Sequence, residues 1–175
     1  MARLPHSSTA LLALLALPAA LSPLVGCRGA GAAHASLDWL LGDWTGTRRD
    51  AADGSEAPMS VHVQALADGP GQLERVQVEG AGKAYVGVAV RVPTGTTGQW
   101  EMSYVNASRE TIARLEGEVG ADKATWRSVT PGRTREGRVE VERLGPDQWR
   151  RTQWVSEDAG KTWQVLFTDD VQRKR

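Results

Sequence analysis

From Trp44 onward, apolar residues return at every second position in one run after another, the period of a strand and not the 3.6 of a helix. Val61, Val63 and Ala65 alternate with His62 and Gln64, and Val76 and Val78 with Gln77 and Glu79. Val86, Val88, Val90 and Val92 form one face of a run whose other face is Tyr85, Gly87, Ala89 and Arg91. Trp100, Met102 and Tyr104 share a face, as do Ala113, Leu115, Gly117 and Val119, then Val139 and Val141. Trp149 to Ser156 and Trp163 to Thr168 complete the series. Between the runs stand turn signals such as Asp53-Gly54, Asp68-Gly69-Pro70-Gly71, Pro131-Gly132 and Gly145-Pro146-Asp147. About ten strands joined by short loops predict an antiparallel meander. So many strands in one small domain must curl, and closure removes the exposed edges. No connection is long enough for a Greek-key crossover, which favours an up-and-down barrel over a two-sheet sandwich. The expected fold is therefore all-β, an antiparallel up-and-down barrel of about ten strands, with Leu37 to Leu41 as a short helical plug at one end. Its outward positions carry Arg, Glu and Gln, which argues against a lipid-facing barrel.

The first 26 residues read as an address. Arg3 and the amino terminus are followed by an almost pure Ala/Leu stretch from Ala10 to Leu21. That stretch is too short to span ~30 Å of hydrocarbon and is interrupted by Pro18, with Pro23 just beyond, so a secretory signal peptide is expected and not a retained span. Leu24-Val25-Gly26-Cys27 resembles the lipobox of bacterial lipoproteins, which implies cleavage before Cys27, acylation of its thiol and attachment to a membrane. The alternative site, Ala33-His34-Ala35, lies far beyond the apolar core. Lipidation also accounts for the lone cysteine, an unpaired thiol being a liability in an oxidising compartment. Arg28 stands where inner-membrane retention signals carry Asp, which points to the outer membrane, facing the periplasm. The expected organisation is a signal peptide over 1–26, a Gly/Ala-rich tether over 27–36 and one barrel domain over 37–175.

Charge excludes more than it suggests. Lys+Arg and Asp+Glu both number 21 in 175 residues, and the arginines from Arg127 to Arg151 are interleaved with Glu136, Glu140, Glu142 and Asp147. Nucleic-acid binding would need an unbroken basic stripe with aromatics beside it, and is not expected.

Leu40-Leu41-Gly42-Asp43-Trp44-Thr45-Gly46 places Gly42, Trp44 and Gly46 on one strand face, letting an indole lie across a barrel end while the backbone bends. This G-x-W opening resembles the calycin superfamily of lipocalins, fatty-acid-binding proteins and nitrobindins. The resemblance implies a basic residue of the last strand over the Trp ring, here Arg173 with Arg175 second. Leu37 to Arg173 further resembles the DUF1579-like group of uncharacterised bacterial secreted proteins. Nitrobindins have a third glycine where this chain has Arg48, and they hold haem through a late histidine, whereas no histidine follows His62. Histidine-ligated haem of that kind is excluded, no cofactor is expected, and His34 and His62 have no third ligand beside them for a metal.

Catalytic constellations are sparse. There is no G-x-S-x-G elbow, no histidine placed as a base and no Walker or dinucleotide fingerprint. Glu116 and Glu118 share a strand face at a spacing of roughly 6.6 Å, as do Glu140 and Glu142, within the range used by inverting glycosidases. Alternating carboxylates on a strand are more often a solvated face paired with arginines, and no catalytic residue is assigned. Ser156-Glu157-Asp158-Ala159-Gly160-Lys161-Thr162-Trp163 fits the Asp-box pattern S-x-D-x-G-x-T-W of sialidases. A single copy cannot build a propeller. It is expected to clip the last hairpin, with Trp163 packed beneath.

What remains is binding. Trp100, Tyr104, Trp126, Trp149 and Trp154 either fill the barrel as core or line a cavity for a small hydrophobic or amphipathic ligand. A ten-stranded barrel has room for such a cavity, and a lumen lacking one of ~300 Å³ would rule the ligand out. The other function classes open to the chain are a solid barrel acting through protein contacts and, less well supported, a hydrolase using Glu116 and Glu118.

Overall fold

The computed structural model describes residues 35–175, apart from 68, 81–83, 96, 108–110 and 130–133. The signal peptide, Cys27, His34 and all but the last two residues of the tether lie outside the described residues.

Among the described residues a 3-10 turn, Asp38–Leu40, precedes ten strands. They are β1 (Gly42–Asp50), β2 (Glu56–Ala65), β3 (Gln72–Val78), β4 (Tyr85–Pro93), β5 (Gln99–Asn106), β6 (Thr111–Val119), β7 (Lys123–Ser128), β8 (Glu136–Gly145), β9 (Gln148–Ser156) and β10 (Gln164–Arg173). Every strand pairs antiparallel with its neighbours in sequence, and β1 closes on β10, so the sheet is an up-and-down barrel with no free edge. The register around the seam runs from Trp44 opposite Arg173 to Asp50 opposite Phe167. A bulge between Val165 and Phe167 shifts the register of β10 against β9.

The alternation sorts one face of each strand into the lumen, and the choice of face is not always the more apolar one. In β4 the inward face is Gly87, Ala89 and Arg91, all buried, while the valine stripe points outward and leaves Val92 exposed. β-branched residues suit a strand on either face. Ala89 borders the luminal space, and the missing Cβ of Gly87 makes room for the Tyr104 hydroxyl.

The two barrel ends differ. At the end where β1 starts, Trp44, Trp100, Trp126 and Trp149 are all fully buried. The indoles of Trp44 and Trp149 meet edge to face at 5.9 Å. The 3-10 turn covers this end, with Leu37 and Leu40 wholly enclosed. Trp44 Nε1 donates to the Leu40 carbonyl at 2.7 Å, and Gln72 Nε2 to that of Leu37 at 2.8 Å. Arg173 lies over the Trp44 ring, 4.2 Å from its centre, and its Nη1 donates to the Leu41 carbonyl. Gly42 makes room for this: its φ is +118°, and a Cβ there would come within 2.7 Å of that guanidinium nitrogen.

Gly46 sets how closely β1 and β10 approach. A methyl group at this position would sit 2.0 Å from the Asp170 carbonyl oxygen and 2.7 Å from the Val171 Cα, both backbone atoms that cannot swing aside. Gly46→Ala is therefore expected to open the seam and destabilise the barrel by ~2–3 kcal/mol. Equilibrium urea unfolding checks this, and a midpoint equal to that of the unsubstituted chain would contradict it.

Candidate functional site

The opposite end is open. A cavity of about 280 Å³ enters the lumen there, walled by Met102, Tyr104, Ala113, Leu115, Val139 and Phe167 among others. Its volume falls just under the ~300 Å³ that marks the lower bound of ligand pockets, so an occupant is small or partly protrudes from the open end. Ile112 and Leu166 border the mouth and are exposed, giving it an apolar rim.

The floor of the cavity is charged. Arg48, Glu74, Arg91 and Arg151 all line it, and Asp169 stands behind them, wholly buried. These five side chains come from β1, β3, β4, β9 and β10 and form one alternating chain of charges. Arg48 donates through Nε to Asp169 Oδ1 at 2.7 Å and through Nη2 to Oδ2 at 3.0 Å. Arg151 donates through Nε and Nη2 to Asp169 Oδ2, at 2.8 and 2.6 Å. Its Nη1 reaches Glu74 Oε1 at 2.6 Å, and Arg91 Nη2 reaches Glu74 Oε2 at 2.6 Å. Three strands, β2, β1 and β10, separate β3 from β9 round the seam, so the Arg151–Glu74 bond crosses the lumen.

Such ions tolerate burial only because each carboxylate is held from two sides. Burial pushes the Glu74 carboxyl up, but the charges of Arg91 and Arg151 outweigh it and hold the group at about 2. Arg151 responds in the mirrored way: burial disfavours its charge, and Asp169 and Glu74 more than restore it. Arg48 has a second support, its guanidinium carbon lying 3.7 Å from the Phe167 ring centre and 4.8 Å from that of Tyr85. The residue that interrupts the nitrobindin-like glycine pattern is thus an end member of the charge chain.

The five aromatic residues suggested by the sequence divide. Tyr104 and Trp154 border the cavity. Trp100, Trp126 and Trp149 do not line it and belong to the buried layer at the closed end. Trp154 lies on the alternate face from Arg151 and stacks on Arg138 at 4.2 Å. Trp44 and Arg173 meet at the closed end, away from the cavity. Glu116 and Glu118 are exposed, Glu116 opposite Arg127 in the register and Glu118 accepting from Gln99, so this carboxylate pair does not converge on the lumen. Glu140 pairs with Lys123 at 2.5 Å, and Glu142 is exposed.

The Asp-box segment forms the turn between β9 and β10. Ser156 Oγ donates to Asp158 Oδ1, the Gly160 amide donates to Ser156 Oγ, and Thr162 donates to Asp158 through both its amide and its hydroxyl. The Thr162 amide and hydroxyl bonds, with that from Ser156, lower the Asp158 carboxyl to about 2. Trp163 donates to the Gly160 carbonyl and faces the guanidinium of Arg138 at 5.0 Å. His62 is exposed on β2, its Nδ1 2.8 Å from Asp43 Oδ1, and that hydrogen bond raises its pKa. Among the described residues no cluster of His, Cys, Asp or Glu could hold a metal ion.

Glu74, Arg91, Arg151 and Asp169 were not singled out by sequence reasoning. The signal was nevertheless present: Gln72 and Glu74 share the phase of the buried Val76 and Val78, Arg91 that of Ala89, and Asp169 that of Val171. A charge in the buried phase of a strand asks for a partner across the lumen.

No family model and no curated protein matches the sequence. Among solved structures, the barrel is similar to the S-type phycobiliprotein lyase CPES of Guillardia theta, with a TM-score of 0.57 and 12% identity, over 79% of this chain and 90% of that one. At this identity the likeness is one of fold, and the fold is a calycin-like barrel.

The charge chain makes a pH-dependent contribution to stability. The Glu74 carboxyl sits at about 2 in the folded protein against an ordinary 4.5, so its contribution is full above pH 4.5 and drains away as pH falls towards 2. Glu74→Gln is expected to cost ~3–5 kcal/mol at pH 7, because it takes from the buried Arg91 its one carboxylate and leaves Arg151 with Asp169 alone. Urea unfolding from pH 7 down to pH 3 should show the gap between the two proteins narrowing only below about pH 4.5. A gap that stays constant, or widens, would show that Glu74 is not held ionised by its partners.

Proposed function

We propose that this chain is a lipid-anchored bacterial envelope protein whose calycin-like barrel holds a small hydrophobic or amphipathic molecule, without chemistry. The observation that carries the reading is the cavity at the open end, apolar in its walls and rim and charged at its floor. A site of that composition suits a molecule with an apolar body and one polar end. The exported, anchored part of the reading rests on Leu24-Val25-Gly26-Cys27 and the apolar stretch before it, with the outer membrane favoured by Arg28. The finer kinship with the DUF1579-like group belongs to the same reading and rests on the Gly42-x-Trp44 opening, the strand number and the domain length.

Binding is favoured over catalysis by the state of the carboxylates. Among the described residues, the acidic side chains lining the cavity are Glu74, locked by two arginines, and Glu136 at the mouth. The structural neighbour is named a lyase, and a barrel of this kind is compatible with chemistry in its lumen, but among the described residues no second free carboxylate or histidine lines the cavity with Glu136. A solid barrel working through protein contacts is disfavoured by the cavity itself.

Native mass spectrometry of the protein purified from its own host tests both halves. The expected species begins at Cys27, carries diacylglyceryl and acyl mass, and releases a retained small molecule on unfolding. Cleavage at Ala35 or an unmodified Cys27 would refute the anchor. Ala113→Phe, which fills the cavity wall, should weaken binding of the neutral fluorophore N-phenyl-1-naphthylamine at least about tenfold, ~1.4 kcal/mol. Undiminished binding by that variant would refute the lumen as the site.

A further inference from the structure

The Asp-box turn does more than close a hairpin, and what it holds lies on the outside of the barrel. Arg127 on β7 and Arg138 on β8 stand directly opposite each other in the strand register, on the outer face. Like charges so placed repel, and a strand surface ordinarily answers each with a carboxylate. The rest of this sheet does so: among the described residues every other strand arginine except Arg75 forms an ion pair. Arg127 and Arg138 form none, although Glu116 is the register partner of Arg127 and Glu136 precedes Arg138 by two residues on its own strand. Indoles hold them instead. The Arg138 guanidinium carbon lies 4.2 Å from the ring centre of Trp154 and 5.0 Å from that of Trp163, and the Arg127 carbon lies 5.5 Å from the same Trp163 ring. Trp163 is fixed in turn by the Asp-box segment, its Nε1 donating to the Gly160 carbonyl. One ring thus keeps two cations side by side against their repulsion. Arg127 is exposed, and of the Arg138 nitrogens Nε alone is enclosed without a partner, so the Nη groups reach solvent.

We propose that Arg127 and Arg138 form a binding site for a phosphoryl group on the outer face of the barrel, with Trp163 as the platform that supports both guanidiniums. Two adjacent arginines offer two positive charges and N–H groups from two directions. A phosphate monoester answers with close to two negative charges at pH 7 and three terminal oxygens, so each arginine finds an acceptor of its own. A carboxylate brings one charge and leaves the pair half compensated, and a cation is repelled. Stacking on the indoles has already restricted both side chains, so little further rotamer freedom is lost when the anion arrives. Either a soluble monoester or the head of an amphiphile can present this group, because Trp154, which touches Arg138, also borders the cavity. The site itself does not depend on the lumen being filled.

The test is an NMR titration of the full, nitrogen-labelled chain with methyl phosphate at pH 7, sodium chloride holding the ionic strength constant. The Nε–H signals of Arg127 and Arg138 are expected to shift together and to saturate with a Kd of about 1 mM. Arg127→Gln, at an exposed position, should weaken binding at least about tenfold. Arg75→Gln removes the same charge from the other strand arginine without an acid partner and should leave the Kd within about twofold. Shifts that grow without saturating, or equal weakening by Arg75→Gln, overturn the inference, since the anion then follows net charge and not a site. Octyl phosphate identifies the source of the group. Binding at least about tenfold tighter than methyl phosphate, with displacement of N-phenyl-1-naphthylamine, supports the site as the head-group end of an amphiphile. Equal binding of the two esters without displacement supports it as a site for soluble monoesters. Displacement by octyl phosphate that Arg127→Gln leaves undiminished, with methyl phosphate unbound, overturns the site and leaves lumen binding intact.

Discussion

Five charged side chains from five strands meet inside this barrel in the order Arg48, Asp169, Arg151, Glu74, Arg91, alternating in sign, and the other features of the lumen are arranged around them. Each carboxylate is gripped from two sides, which is the condition for ions to survive so little water. Because Arg151 and Glu74 bond across the lumen, the network ties opposite walls of the barrel together instead of reinforcing one hairpin. It also divides the interior. On one side lies a layer of fully buried tryptophans, and on the other an open cavity.

The division explains why a barrel with seven tryptophans in its sequence offers so few of them to a ligand. Trp44, Trp100, Trp126 and Trp149 are consumed by the closed end, where Leu37 and Leu40 cover them and Arg173 lies across Trp44. That end depends on glycine twice: Gly42 admits the arginine, and Gly46 lets β1 approach β10. At the other end the Asp-box turn stiffens the β9–β10 hairpin by hydrogen bonds of its own, and Trp163 and Trp154 flank Arg138, Trp154 also bordering the cavity. The mouth is then bordered by residues such as Ile112 and Leu166 that have no internal reason to be apolar and exposed.

Much of the architecture could be read from the residues one strand at a time. Ten alternating runs and short turns predict a meander, and the resemblance carried by Gly42-x-Trp44 implies Arg173 over the ring, which lies 4.2 Å away. The floor was harder to read. The arginines after Arg127 look like a mixed surface, yet Arg151 lies inside while Arg150 beside it pairs with Asp170 on the outer face. One step in the chain reverses the meaning of the residue. In β4 the valine stripe looks like the core and is the outside, because the lumen selects the small face of Gly87 and Ala89.

By itself, then, the sequence determined the class of fold, the number and order of strands and the turn clip, since all of these follow from periodicity and from contacts local to a strand or hairpin, while the cap of Arg173 on Trp44 was legible only through a family resemblance. Only the tertiary structure decided which face of each strand is luminal, which charges find each other and where the space is left. Those outcomes hang on closure: Glu74 and Arg151 are 77 residues apart, and no local pattern pairs them until the barrel brings β3 and β9 to opposite walls of one narrow lumen.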